Sequence, residues 1–160
     1  MASVQDLKEI LLFEDLPDHV LEQLLSMVEE ESFGERQVIY ETGSAADKLY
    51  SLKRGKVLLE SELAPAFIIS VGSIKSGYSF GWSALFPPTI NTSYAVCSEP
   101  SEILAMPGGK LSDFLNSEHT AGYMVMQKAA TILENRLEYR TAQFLKVMSK
   151  HPEIGALLGM

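Results

Sequence analysis

The pattern of apolar and polar positions divides the chain into three stretches. Val4, Leu7, Ile10 and Leu11, and then Val20, Leu21, Leu24, Leu25 and Val28, recur at helical spacing, which predicts helices over about residues 4–30. Leu16-Pro17-Asp18 lies between the two groups as a break followed by a cap. From Phe33 the pattern changes to short runs of β-formers: Gln37 to Glu41, Leu49 to Leu52, Lys56 to Leu63, Ala66 to Val71, Tyr94 to Cys97 and Ser101 to Met106. Gly34, Gly43, Gly55, Gly72, Gly77, Pro87-Pro88 and Pro107-Gly108-Gly109 punctuate these runs, the rhythm of an antiparallel sandwich or barrel over about residues 33–106.

Helical periodicity returns after Ser112 and predicts C-terminal helices over about residues 110–150. No proline interrupts Glu118 to Lys150, so one long helix is expected, about 45 Å at 1.5 Å per residue, stopped by His151-Pro152. With Tyr123, Ala130, Leu137 and Phe144 at heptad position a, Met126, Leu133, Arg140 and Val147 fall at d, an apolar stripe broken by Arg140. Such a stripe can pack on the protein's own barrel. The length of the helix favours a partner helix instead, because a barrel of this size covers only the first few turns.

Composition narrows the classes. The 160 residues hold 13 Lys plus Arg against 21 Asp plus Glu, a net charge of −8, with 46% hydrophobic residues. That suits a single folded domain over 1–160 and gives no basic surface for nucleic acid. The charge is uneven: 14 acids and 6 bases precede residue 63, and Ser76 to Ser98 contains no charged residue. One cysteine, Cys97, and three scattered histidines offer neither a disulfide nor metal-ligand spacing. No run approaches a membrane span and no signal segment opens the chain, so a cytoplasmic protein is expected.

Two helices, a glycine-punctuated β-region and a long terminal helix resemble the cyclic-nucleotide-binding domain of the catabolite-activator-like regulators. Specific residues carry the resemblance over roughly residues 7–150. Leu12-Phe13 and Leu16-Pro17 look like the opening helix, and Gly43, Ala46-Asp47, Leu49-Tyr50, Gly55 and Val57 like the first hairpin. Gly77-Tyr78-Ser79-Phe80-Gly81-Trp82-Ser83-Ala84-Leu85 looks like the phosphate-binding cassette, in the form of short members with a Gly-Trp-Ser-Ala-Leu sequence. The resemblance implies a mainly β fold with flanking helices: an antiparallel β-roll of the jelly-roll, double-stranded β-helix type, with N-terminal helices and a C-terminal dimerisation helix. It also implies a homodimer through Tyr123, Met126, Ala130, Leu133, Leu137, Phe144 and Val147.

The cassette departs from the family's binding pattern. Members that bind cyclic nucleotides place a glutamate for the ribose hydroxyl after the Phe-Gly pair and an arginine for the phosphate nine or ten residues later. Here those positions hold Trp82 and Asn91 or Thr92. A charge-assisted bond to the phosphate contributes about 1.5–3 kcal/mol, so its loss weakens binding about ten- to a hundredfold. Candidate ligand contacts are Gly81, Trp82, Ser83, Ala84, Asn91, Thr92 and Ser93, with Arg140 and Thr141 placed by the resemblance near a purine. Arg140 has a second reading, as a solvated partner of Glu134 or Glu138 on a neighbouring helix. Three outcomes stay open: a pocket filled by Trp82 and its aromatic neighbours, a ligand other than a cyclic nucleotide, and a cyclic nucleotide itself. Haem is a smaller alternative, and the cofactor is unassigned.

Catalytic motifs are missing from the sequence, with no P-loop, nucleophile elbow or His-Glu-x-x-His, so no enzyme is expected. The family's transcription factors append a helix-turn-helix domain after the long helix, for which the residues after His151 are too few. The expected function is therefore a stand-alone regulatory sensor acting on a protein partner in trans through its dimer. The alternative is a dimerisation domain that binds no ligand.

Overall fold

A computed structural model describes Met1 to Gly159, apart from the side chain of Leu158. The chain falls into two compact units, Met1–Val125 and the residues from Met126 onward. In the first unit, α1 (Val4–Lys8) and α2 (Asp18–Leu25) precede strands β1 (Glu29–Phe33), β2 (Val38–Tyr40), β3 (Lys48–Arg54), β4 (Lys56–Ala64), β5 (Phe67–Lys75), β6 (Ser79–Phe80), β7 (Tyr94–Cys97) and β8 (Ser101–Pro107). A single 3-10 turn, Trp82–Ala84, lies between β6 and β7. Helix α3 (Gly108–Ser117) follows β8, α4 runs from His119 to Ser149, and α5 from Pro152 to Leu158.

The strands form two antiparallel four-stranded sheets, ordered β1-β8-β3-β6 and β2-β7-β4-β5. This is the expected β-roll with helices before and after it. Alternation along the strands explains the layering: Leu52, Val57, Leu59, Ile74, Phe80, Ala95, Cys97 and Ile103 make one buried cluster, joined by Phe33, Ile39, Tyr40, Tyr50 and Val71. Leu7, Ile10, Phe13, Leu21 and Leu24 bury the N-terminal helices and the turn that joins them. Pro17 precedes the first residue of α2, where its missing N–H removes no helical bond. Strand β5 closes one edge of its sheet, with Phe67 and Ile68 exposed at its start.

Strand β1 begins inside the helical stretch expected to run to about residue 30: α2 ends at Leu25, and Glu29 to Phe33 pair with β8. Its register is set by the ladder with β8, Glu29 opposite Ala105 and Phe33 opposite Ser101, and its carboxylates are held from β3, one strand further on. Lys48 on β3 reaches Glu29 and Glu31, each at 2.6 Å, and Lys53 reaches Glu30 at 3.0 Å and Asp6 of α1 at 3.2 Å. Four ion pairs, made by two lysines and four carboxylates, thus tie α1 and β1 to β3.

This arrangement predicts an acid-sensitive junction. Burial raises the Asp6 pKa, but hydrogen bonds from Ser3 and the Lys53 ammonium outweigh it and hold the carboxyl below its ordinary value. Lys53 and the chain terminus lower Glu30 likewise. A carboxylate depressed in the folded state adds stability above its unfolded pKa, and that stability is lost as pH falls through the folded value. Lys53→Met should therefore flatten the fall in urea midpoint between about pH 5 and pH 2. An unchanged acid limb would show that these pairs contribute nothing.

Candidate functional site

The cassette is built on the end of β3. Tyr50 and Ser51 pair with Phe80 and Ser79, and the buried Ser51 and Ser79 hydroxyls meet at 2.8 Å. Gly77 donates its N–H to the Leu52 carbonyl at 2.8 Å, and Leu52 donates to the Tyr78 carbonyl at 3.0 Å. Gly81 then takes a left-handed conformation, φ +78°, and a Cβ there would lie 3.0 Å from the Lys48 carbonyl oxygen and 3.0 Å from the Tyr50 ring. Both the backbone conformation and the close approach to β3 therefore favour glycine at this position.

Trp82, Ser83 and Ala84 form the 3-10 turn. Ala84 donates its N–H to the Gly81 carbonyl and Leu85 to that of Trp82, so these amides close the turn on itself. The indole is partly covered, and its Nε1–H is buried with no acceptor among the described residues. An unpaired buried donor costs about 1–3 kcal/mol.

Asn91 is 5% exposed, and it serves the fold around it. Its amide nitrogen donates to the Ser44 hydroxyl at 3.0 Å and the Ala45 carbonyl at 3.2 Å, while its backbone exchanges bonds with Ser44 and Gly43. The loop after the turn is thereby fastened to the β2–β3 loop. Thr92 is exposed and Ser93 partly buried, so the structure brings Gly81 to Ala84 together as a turn and sets Asn91 against the β2–β3 loop. Arg140 and Thr141 are exposed on α4 in the second unit.

The proposed dimer stripe on α4 is largely open to solvent. Tyr123 is 70% exposed, Leu137 66%, Phe144 61% and Val147 68%; Met126 and Ala130 are exposed and Leu133 is partly buried. Arg140 interrupts the same face. Ala121, Val125, Ala129 and Ile132, on another face of the helix, are buried.

Two close contacts extend from the cassette within the first unit. A Cβ on Gly108, the first residue of α3, would overlap the Ala84 carbonyl oxygen, and a Cβ on Gly122 of α4 would overlap the Leu115 carbonyl oxygen of α3. The turn that carries Trp82 is thus in direct contact with α3, and α3 with the first turns of α4.

Residues of the hairpin motif contribute a second feature that was not expected as a site. Tyr40, Tyr50, Glu41, Asp47, Lys48 and Asn91 line part of a cavity of about 330 Å³. Tyr40 and Tyr50 lie with ring centroids 5.8 Å apart, and Tyr50 stacks on Phe80 at 5.3 Å. Alternation of β3 signals that Tyr50 shares a face with Leu52, but the cavity depends on loop pairing that no local pattern carries.

The sequence profile of the cyclic nucleotide-binding domain matches residues 30–118, more than half of the chain. The chain belongs to the cyclic nucleotide-binding domain family. It is similar to a solved Geobacter metallireducens protein named for cyclic-nucleotide binding, with 29% identity, TM-score 0.76, and coverage of 86% of this chain and 99% of that one. The catabolite activator protein of Thermus thermophilus shares the fold at 22% identity and TM-score 0.71, over 87% of this chain and 63% of its own. The sensor domain of the transcriptional regulator DNR from Pseudomonas aeruginosa shares it at 20% identity and TM-score 0.69, over 84% and 90%. Among curated proteins no sequence matches the chain. This cyclic nucleotide-binding domain thus has regulators and sensors among its structural neighbours. Its described helices include none long and apolar enough to cross a membrane, and its described residues form no cluster of three metal-ligating side chains.

Proposed function

We propose that this cyclic nucleotide-binding domain is a regulatory sensor whose cassette takes a ligand other than a conventional cyclic nucleotide, and which acts on a partner through a homodimer of α4. The observation that carries the reading is the chemistry of the cassette. Its backbone turn is intact, yet Ser76 to Ser98 holds no charged side chain, and Trp82 presents a donor where the family's binders present an acceptor. A cyclic phosphate there would lack a guanidinium, and a ribose hydroxyl would lack a carboxylate. A ligand with an acceptor atom and an aromatic or uncharged body suits the indole better. The contacts from Ala84 to Gly108 and from Leu115 to Gly122 give such a ligand a mechanical route to the start of α4.

Trp82 is the chain's single tryptophan, so its emission reports the cassette directly. Titration with cyclic AMP, cyclic GMP, cyclic dinucleotides, adenosine and haem, followed by indole emission and melting temperature, tests the reading. Saturable change with an uncharged aromatic compound supports it, since a ligand at a hundred times its Kd adds about 2.7 kcal/mol of stability. Tight cyclic AMP binding would overturn the ligand assignment.

A second reading has a specific observation behind it. The Tyr40, Tyr50 and Phe80 rings pack on one another beside the cassette, an aromatic core that suits a dimerisation domain whose cassette binds no ligand. Both readings need the α4 dimer. Leu137→Glu combined with Phe144→Glu should convert a dimer to monomer in sedimentation velocity without loss of helicity. A wild-type chain that sediments as a monomer would remove the dimer from both.

A further inference from the structure

The cavity at the β2–β3 end of the roll shares Asn91 with the cassette positions but is lined by none of the turn residues Gly81 to Ala84. We propose that it is a binding site for a small organic ammonium ion, held over Tyr40 and Tyr50 and against the carboxylates of Glu41 and Asp47. Its volume of about 330 Å³ is enough for a small ligand. The two tyrosine rings, tilted 32° to one another, supply an aromatic wall of the kind that attracts a weakly hydrated cation.

Charge selects the sign of the ligand. Glu41 and Asp47 are exposed and form no ion pair among the described residues. Lys48, the ammonium that lines the cavity, is already held by Glu29 and Glu31 at 2.6 Å each. Lys110 also acts on Glu29, so four carboxylates face two ammoniums around this end of the roll. An anion would approach the unpaired carboxylates, with its one adjacent cation already neutralised. The Tyr50 hydroxyl senses the same field: burial raises its pKa first, Glu31, Asp47 and Glu29 add to the rise, and Lys48 opposes them. Asn91 has its amide nitrogen engaged by Ser44 and Ala45, which leaves its carbonyl oxygen as the group able to accept a bond.

The site adjoins the cassette turn and α3 of the proposed sensor without depending on its ligand. The Asp47 backbone carbonyl accepts the N–H of Gly108 at 2.8 Å, and the Tyr50 ring lies against Gly81. An occupant therefore touches the residues that hold both the start of α3 and the cassette turn.

The test uses the full chain and two probes, choline chloride and tetramethylammonium chloride, against sodium chloride at matched ionic strength. Tyrosine ring resonances are followed by NMR. Saturable shifts of Tyr40 and Tyr50 are expected with both probes, and Glu41→Gln and Asp47→Asn should each weaken binding by roughly 2- to 5-fold, the range of exposed charge pairs. Both substitutions are at exposed positions, and an unchanged amide spectrum checks that the variants fold. The proposal fails if the shifts only follow sodium chloride, if the double variant binds choline as the wild type does, or if inorganic phosphate or cyclic AMP saturates these resonances in place of the ammonium ions. Trp82 emission reads the cassette separately, so failure of one site is distinguishable from failure of the other.

Discussion

Phe80→Ala is expected to lower unfolding free energy by about 3–5 kcal/mol, the range for removing a buried ring. Phe80 is fully buried, stacks on Tyr50 at 5.3 Å and lies 6.2 Å from Tyr40, so its removal opens a cavity bounded by rings that cannot collapse easily into it. Domains of this size have only about 5–15 kcal/mol in hand, so the variant should sit close to the unfolding threshold. Urea denaturation at 25 °C measures it. Phe80→Leu keeps much of the volume and should lose less than half as much. Equal losses in the two variants would mean that the ring contacts, and not the volume, dominate. Phe80 also directly precedes Gly81, so the cassette turn should loosen with it, visible as a red shift of Trp82 emission before global unfolding.

The second large effect is at adjacent glycines. Gly108→Ala should lower stability by about 1–3 kcal/mol, the usual range for overpacking a tight site. The added methyl meets the Ala84 carbonyl, a backbone atom that moves only if the cassette turn moves. Gly109 has open space around its Cβ position and lies in the same helix turn. Gly109→Ala should therefore raise stability by about 0.4–1 kcal/mol through the lower entropy of the unfolded chain. Opposite signs at neighbouring positions, read from two melting curves, separate close contact from helix propensity. Two changes of the same sign would show that the contact between Ala84 and Gly108 carries no constraint.

Much of the architecture was legible because its signals are local. The unbroken run after Glu118 gave α4 nearly to its ends, His119 and Ser149, and Pro17 marked the start of α2. Gly34, Gly43, Gly55 and Gly77 fell between strands, as at Gly55 between β3 and β4, whereas Gly72, read as the end of a run, lies inside β5 opposite Leu59. Family membership was also readable, since the cassette motif keeps its residue order even where it changes chemistry.

What stayed hidden depends on distant partners. Glu29-Glu30-Glu31 becomes a strand by pairing with Ile103 to Ala105 of β8, and lysines of β3, 17 to 23 residues away from their partners in sequence, hold its carboxylates. Asn91, read by position as a stand-in for a phosphate ligand, has its amide nitrogen engaged by partners 46 and 47 residues back. The cavity likewise exists only where two loops meet. The hairpin motif named Asp47 and Tyr50, but no spacing in the sequence says that they share a space with Glu41.

Strand β5 has a consequence beyond the folded domain. From Phe67 to Ile74 it carries no charge, and it ends its sheet with one row of backbone groups outside the ladder and Phe67 and Ile68 uncovered. Lys75, at the far end, is the strand's lone gatekeeper. Chains released from a ribosome or a denaturant at high concentration will meet one another along this edge first, so yield on refolding should fall steeply with protein concentration even where the native domain is stable.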